Sequence, residues 1–79
     1  MTKLDLLAAV VLETLVEADG GPLTHEQIAL ACERRPEDAR ESEEIDKALR
    51  ILMSDRLVRG DGESFRATRA AIRAAQLSF

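Results

Sequence analysis

Two side chains carry most of the chemical versatility in this chain: the single histidine, His25, and the single cysteine, Cys32. A metal site needs three or four such ligands, and a catalytic nucleophile needs a base beside it. No glycine-rich phosphate loop or paired catalytic motif accompanies them. We therefore predict no enzyme activity, metal or cofactor. We expect His25 at the surface and Cys32 as a small apolar residue, not a redox sensor.

The chemistry that remains is charge. The 79 residues carry a net charge of −4. Residues 1–55 contain six Lys or Arg against thirteen Asp or Glu, whereas residues 56–79 contain five Arg against two acidic residues. A negative net charge opposes nucleic-acid binding, and a basic C-terminal third favours it. Charge alone leaves both a DNA partner and a basic protein partner open.

The elements that position these charges form a single domain, 1–79. Hydrophobic residues make up 46%, and with only Phe65 and Phe79 as aromatics the core must be aliphatic. The apolar N-terminal run is interrupted by Asp5 and Glu13, which favours a buried helix over a signal peptide or membrane span. A single cysteine requires no oxidising compartment, so we expect a cytoplasmic protein.

Hydrophobic periodicity predicts helices over about 3–18, 24–33, 42–55 and 69–77 and a β-hairpin over about 57–67. A third short strand is expected at Pro22–Leu23. The polar segment 34–41 is either a loop or an early extension of the third helix. The expected N-caps are the hydroxyl residues before each helix, Thr2, Thr24, Ser42 and Thr68. The expected buried side of the third helix is Ile45, Ala48, Leu49, Leu52 and Met53.

The segments Leu23–Ala29, Ile45–Leu52 and Asp55–Thr68 together resemble the winged helix-turn-helix superfamily, as in MarR-like and ArsR-like domains, without indicating a subfamily. The resemblance implies a mainly α fold with a small β-hairpin, in the order helix-helix-helix-strand-strand-helix. It also implies a small DNA-binding transcription regulator whose third helix enters the major groove and whose hairpin, the wing, contacts the backbone or the minor groove. The implied DNA contacts are Lys47, Arg50 and Ser54 on the third helix, Arg59 and Arg66 on the wing, and Arg40 and Arg56 nearby. Alternatively, these are solubilising charges paired with acidic neighbours four residues away, such as Glu43 with Lys47 and Asp46 with Arg50.

Two departures from the family pattern favour a second hypothesis. The connection between the second and third helices is long, and the third helix is acidic at its start. The chain is then a protein–protein interaction module that binds a basic partner without binding DNA. The candidate residues for that surface are Glu37, Asp38, Glu41, Glu43 and Glu44.

The first helix is apolar around more of its circumference than one core face requires. This predicts a homodimer interface comprising Leu6, Val10, Ile72, Leu77 and Phe79. The alternative is that the last helix folds back and covers the whole first helix within the monomer.

Overall fold

Four helices and a three-stranded sheet make up residues 2–77, the part of the chain that the computed structural model describes. The elements are α1 (Lys3–Glu17), β1 (Leu23–Thr24), α2 (His25–Ala31), α3 (Ala39–Ser54), β2 (Val58–Asp61), β3 (Ser64–Ala67) and α4 (Arg69–Leu77). The strands are antiparallel and lie in the order β1-β3-β2. The mainly helical architecture with a small hairpin is therefore confirmed, as is a short third strand beside it.

Hydroxyl side chains start three of the helices, as predicted. At α2, Thr24 Oγ1 accepts the N–H of Gln27 at 3.2 Å, and the Gln27 side chain accepts the N–H of Thr24 at 2.8 Å. Thr2 and Asp5 form the same capping box at α1, and Thr68 caps α4. Each cap satisfies a backbone donor that the helix itself leaves unpaired.

The third helix begins earlier than predicted. It starts at Ala39, and its N-cap is Asp38 instead of Ser42. Asp38 Oδ1 accepts the N–H groups of Arg40 and Glu41 at 2.9 and 3.2 Å. Aspartate is as good an N-cap residue as serine. This cap lies within the polar segment 34–41, where the hydrophobic pattern could not locate the helix start.

A non-glycine residue with a left-handed backbone follows each of the first three helices. Asp19, Glu33 and Arg56 have φ angles of 53°, 58° and 61°. After Arg56, the N–H of Leu57 donates to the oxygen of Leu52 at 2.9 Å, which is the long bond of a Schellman motif. The equivalent motif after α2 ends that helix two residues earlier than predicted.

The hairpin lies directly on α3 because one of its strand residues has no side chain. In the β2–β3 register Arg59 faces Arg66 and Gly60 faces Phe65. A Cβ atom on Gly60 would lie 3.2 Å from Met53 Sδ and 3.5 Å from the Phe65 ring. Gly60 therefore allows the close approach that fixes the hairpin on α3.

The core lies where the helices and the hairpin meet. Its fully buried large side chains are Val11, Leu15, Ile28, Ile45 and Leu49. The predicted inner face of α3 is confirmed, with Met53 half-buried. Across residues 2–77, no helix is both long and apolar enough to cross a bilayer.

Candidate recognition surfaces

The outer face of α3 carries the charges that the sequence assigned to DNA. Arg40, Lys47, Arg50 and Ser54 are all exposed there. Lys47 Nζ pairs with Glu43 at 3.6 Å, as the solubilising alternative predicted. The other predicted pair, between Asp46 and Arg50, does not form. Within residues 2–77, neither Arg40 nor Arg50 has an ion-pair partner, so these two cations remain available to a ligand.

His25 is not a freely exposed surface residue. Its Nε2 atom lies 2.9 Å from Asp46 Oδ1 and 3.3 Å from the backbone oxygen of Ser42. Both neighbours are acceptors, so Nε2 carries the hydrogen in this arrangement. The half-buried ring thus connects the start of α2 to the middle of α3.

Three carboxylates surround a groove between α2, α3 and the hairpin tip. Glu26, Asp46 and Glu63 line this space of about 530 Å³ together with Thr24, His25 and Phe65. We call it the acidic groove. It adjoins the outer face of α3, where the winged-helix resemblance places the DNA. Carboxylates at this position repel phosphate and attract cations.

The wing arginines lie on the opposite side of the sheet from α3. Side chains alternate between the two faces of a strand. Val58 is buried, and a Cβ atom on Gly60 would point at Met53 of α3, so Arg59, between them, points to the other face. Arg66 is the cross-strand partner of Arg59 and shares that face. The predicted DNA contacts are therefore divided between two surfaces.

Arg59 and Arg66 meet a third arginine on that other face. Together with Arg69 they line a cavity of about 520 Å³, which Asp19, Gly20 and Ile72 also border. We call it the arginine cavity. Arg69, the first residue of α4, was not predicted as a site residue. From the sequence, its position after the Thr68 cap predicts that Arg69 starts a helix, but not that it lies beside the wing arginines.

Arg56 belongs to neither surface. It is exposed in the turn between α3 and β2, and it lines neither the acidic groove nor the arginine cavity. Its left-handed backbone shows that this position ends a helix. The sequence had grouped it with the DNA contacts because it is a cation close to the wing.

The predicted acidic partner surface is largely engaged within the chain. Asp38 caps α3, and Glu41 accepts the backbone N–H of Arg35. Glu44 pairs with Arg34 at 3.2 Å, and Glu43 pairs with Lys47. Glu37, by contrast, has no hydrogen bond or ion pair to another residue of 2–77. Much of this acidic run therefore organises the long α2–α3 connection.

Apolar side chains remain exposed on the outer face of α1. Leu6 and Val10 are 54% and 45% exposed, and Leu77 of α4 is 78% exposed. Ile72 is only partly exposed because it packs against the core, so its place in a dimer surface stays a prediction. Phe79 lies outside the described residues.

The last helix covers only part of α1. An apolar groove between the two helices is lined by Ala9, Leu12, Glu13, Val16, Leu57, Ala71, Ala74 and Ala75. Leu6 and Val10 do not line it and remain exposed. Complete coverage of α1 by the last helix is therefore not what the structure has.

Burial dominates the environment of Cys32. It raises the pKa of the half-buried thiol, while a hydrogen bond with Thr14 and the charge of Arg34 act in the opposite direction. A thiol with a raised pKa is a poor nucleophile at neutral pH. Among residues 2–77, no three His, Cys, Asp or Glu side chains are grouped closely enough to hold a metal ion.

The order of elements and the antiparallel sheet are compatible with a winged helix. Comparisons of the chain with protein-family models, curated proteins and solved structures found no match. A function for the chain must therefore be argued from its surfaces.

Proposed function

We propose that this chain is a winged-helix recognition module that binds a basic protein segment through the acidic groove. The observation that carries the proposal is the placement of Glu26, Asp46 and Glu63 around one space beside α3. Three elements contribute one carboxylate each, so the groove presents negative charge from several directions. Lysine or arginine side chains of a partner would be attracted there, whereas duplex DNA would be repelled.

The ion pairs beside the groove do not remove its charge. Glu43 and Lys47 are 67% and 56% exposed, and exposed pairs of this kind are weak. Asp46 interacts with the half-buried His25 but is itself 51% exposed. A partner cation can therefore interact with these carboxylates while the existing contacts persist.

Binding to double-stranded DNA, as a transcription regulator, is the second candidate function. The unpaired Arg40 and Arg50 favour it, because they lie on the outer face of α3 with Lys47 and Ser54. An arginine in that position can form two hydrogen bonds with guanine in the major groove. Against it, the wing arginines face away from α3 and the acidic groove lies beside it.

One experiment separates the two candidates. Isotope-labelled protein is titrated at low salt with a twelve-residue Lys/Arg-rich peptide, and separately with a mixed-sequence DNA duplex, while amide shifts are followed. We expect peptide-induced shifts at Glu26, Asp46 and Glu63. Shifts with DNA alone, centred on Arg50 and fading as salt is added, would replace this proposal with the second candidate.

A charge-reversal variant tests the groove itself. Glu63→Lys should weaken peptide binding about tenfold, since it replaces an attraction by a repulsion at the hairpin tip. Glu17→Lys is the matched control, because it makes the same charge change on an exposed position of α1 outside the groove. Equal losses in both variants would indicate a response to net charge only, and would contradict a defined binding groove.

We further propose that the module self-associates through the outer face of α1. Leu6 and Val10 form an exposed apolar patch next to the α1–α4 groove. Such a patch is more stable when covered, and a second copy of the chain offers a complementary one. This interface leaves both the acidic groove and the arginine cavity accessible.

A further inference from the structure

The arginine cavity brings three positive charges to one place with little compensation. Arg59, Arg66 and Arg69 line it, and Asp19 is the one carboxylate among its lining residues. Asp19 lies within 4.0 Å of no arginine nitrogen among the described residues. The local charge is therefore positive in a chain whose net charge is negative.

The cross-strand position of two of these arginines is unfavourable without a ligand. Arg59 and Arg66 face each other directly in the β2–β3 register, where opposed Cβ atoms lie about 4.5–5.5 Å apart and like charges destabilise a sheet. Arg66 has one partner, Asp61, at the long distance of 3.9 Å. Arg59 has no ion-pair partner in residues 2–77. An anion between the two guanidinium groups would relieve this repulsion.

The start of α4 adds hydrogen-bond donors at the same cavity. Thr68 Oγ1 accepts the N–H of Ala71 at 3.2 Å, which satisfies the third donor of the helix. Within residues 2–77, the N–H group of Arg69, which lines the cavity, has no acceptor. Free N–H groups and the helix dipole favour an anion at this end of a helix.

We propose that the arginine cavity binds a small molecule carrying two or more linked phosphate groups. Guanidinium groups can each hold a phosphate through two parallel hydrogen bonds, and three of them exceed what a single phosphate needs. The volume of about 520 Å³ lies within the range of small-molecule sites. The site is separate from the acidic groove, on the other side of the sheet, so it adds a ligand to the proposed interaction module.

Such a ligand would connect three elements. Asp19 and Gly20 follow α1, Arg59 and Arg66 belong to the hairpin, and Arg69 starts α4. A bound oligophosphate would hold the start of α4 against the sheet. Because binding favours the folded state, its presence should raise the thermal stability of the whole chain.

The test uses sodium pyrophosphate as the probe, at an ionic strength held constant with sodium chloride. We expect saturable amide shifts at Arg59, Arg66 and Arg69, a raised Tm, and affinity at least tenfold higher than for orthophosphate. Citrate, tested in parallel, distinguishes phosphate recognition from general affinity for multivalent anions. Equal binding of citrate would overturn the phosphate assignment, and the absence of saturable shifts would overturn the site.

Variants locate the binding. Arg59→Gln and Arg69→Gln should each weaken pyrophosphate binding at least fivefold, while Arg73→Gln, an exposed arginine of α4 outside the cavity, should not. Far-ultraviolet circular dichroism checks that each variant is folded. Because Arg59→Gln removes a like-charge contact, we expect its Tm without ligand to equal or exceed that of the wild type.

Two further results would overturn the proposal. One is an equal loss of affinity in Arg73→Gln, which would indicate attraction by total charge. The other is a response of these three arginines to duplex DNA but not to pyrophosphate, which would make the cavity part of a nucleic-acid interface. Failure of the basic peptide to bind would leave the pyrophosphate result unaffected, so the two proposals fail separately.

Discussion

The acidic groove and the arginine cavity carry opposite charge although the hairpin contributes residues to both. On the side of α3, the tip residue Glu63 joins two other carboxylates in the acidic groove. On the far side, Arg59 and Arg66 join Arg69 in the arginine cavity. Strand alternation places Arg59 and Arg66 on the face away from α3, whereas Glu63 lies in the turn between the two strands. The net charge of −4 therefore describes neither surface. The character of a surface in a domain this small must therefore be assigned residue by residue.

Both charged surfaces depend on the hairpin lying directly on α3. Gly60→Val should disrupt this packing. The added γ-carbons would enter the space occupied by Met53 and Phe65, where even a Cβ atom would be within 3.2 Å of sulfur. We expect a loss of about 1–3 kcal/mol in unfolding free energy, measured by urea denaturation. Both surfaces should lose affinity together, because the displaced hairpin carries residues of each.

Two further variants control this result. Gly62→Ala meets nothing within 4 Å and suffers only from its positive φ of 69°, so it should cost less, about 1 kcal/mol. Met53→Ala in the Gly60→Val background should recover part of the loss by making room. If Gly60→Val were no worse than Gly62→Ala, close packing of the hairpin on α3 would not be what separates the two charged sides.

The outer face of α1 belongs to neither charged surface, so self-association through it can be tested separately from the binding of charged partners. We expect Leu6→Glu combined with Val10→Glu to raise the dimer Kd at least tenfold, about 1.4 kcal/mol, in light scattering or analytical ultracentrifugation. Leu30→Glu is the control, because Leu30 is similarly exposed, at 59%, but belongs to another helix, α2. A dimer that dissociates only in the Leu30 variant would place the interface elsewhere and would contradict the proposed arrangement.

Much of this fold could be predicted because its signals are local. The Thr24–Gln27 capping box and the buried stripe of α3 each depend on residues three or four positions apart. The start of α3 could not be placed, because Asp38 lies among many other charged residues that are equally able to cap. The composition of segment 34–41 gave no criterion for choosing among them.

The surroundings of the two hairpin faces could not be predicted for a different reason. Alternation in Phe65–Arg66–Ala67 predicts that Arg66 points away from the apolar face, but not which residues of other elements lie beside either face. The arginine cavity also depends on long-range contact, since Arg69 meets Arg59 only after the chain has turned into α4. Sequence reasoning therefore found the charged residues but not their grouping.

Arg56 offers a smaller test, because the structure assigns it to neither surface. Its φ of 61° is more favourable for glycine than for an L side chain. Arg56→Gly should therefore raise the unfolding free energy by about 0.5–1 kcal/mol in urea denaturation and leave binding of peptide and pyrophosphate unchanged. Glu33→Gly, at the equivalent position after α2, should behave alike. Loss of affinity in Arg56→Gly beyond the effect of its charge would return Arg56 to a binding surface.

Cys32 lies near charged side chains, so it tests whether burial or local charge dominates the pKa of a thiol. Burial raises the pKa of its thiol, and the hydrogen bond with Thr14 and the charge of Arg34 only partly offset this. A pKa raised by folding means that the unfolded chain loses the proton first, so the contribution to stability is complete below the unfolded value of about 8.5 and declines as pH rises through the folded pKa. We expect wild type to lose more stability than Cys32→Ala between pH 7 and pH 10, by urea denaturation.

The neighbouring charge gives this prediction its control. Arg34→Gln removes the cation that lowers the pKa, so the thiol should react still more slowly with a disulfide reagent at pH 8 than it does in wild type. Glu44 pairs with Arg34 at 3.2 Å, and Glu44→Gln should have the opposite, smaller effect because the arginine charge is then less compensated. A thiol that reacts faster than a free cysteine at neutral pH would show that charge prevails over burial even here. Local charge would then determine the reactivity of Cys32 as well as the character of the two hairpin surfaces.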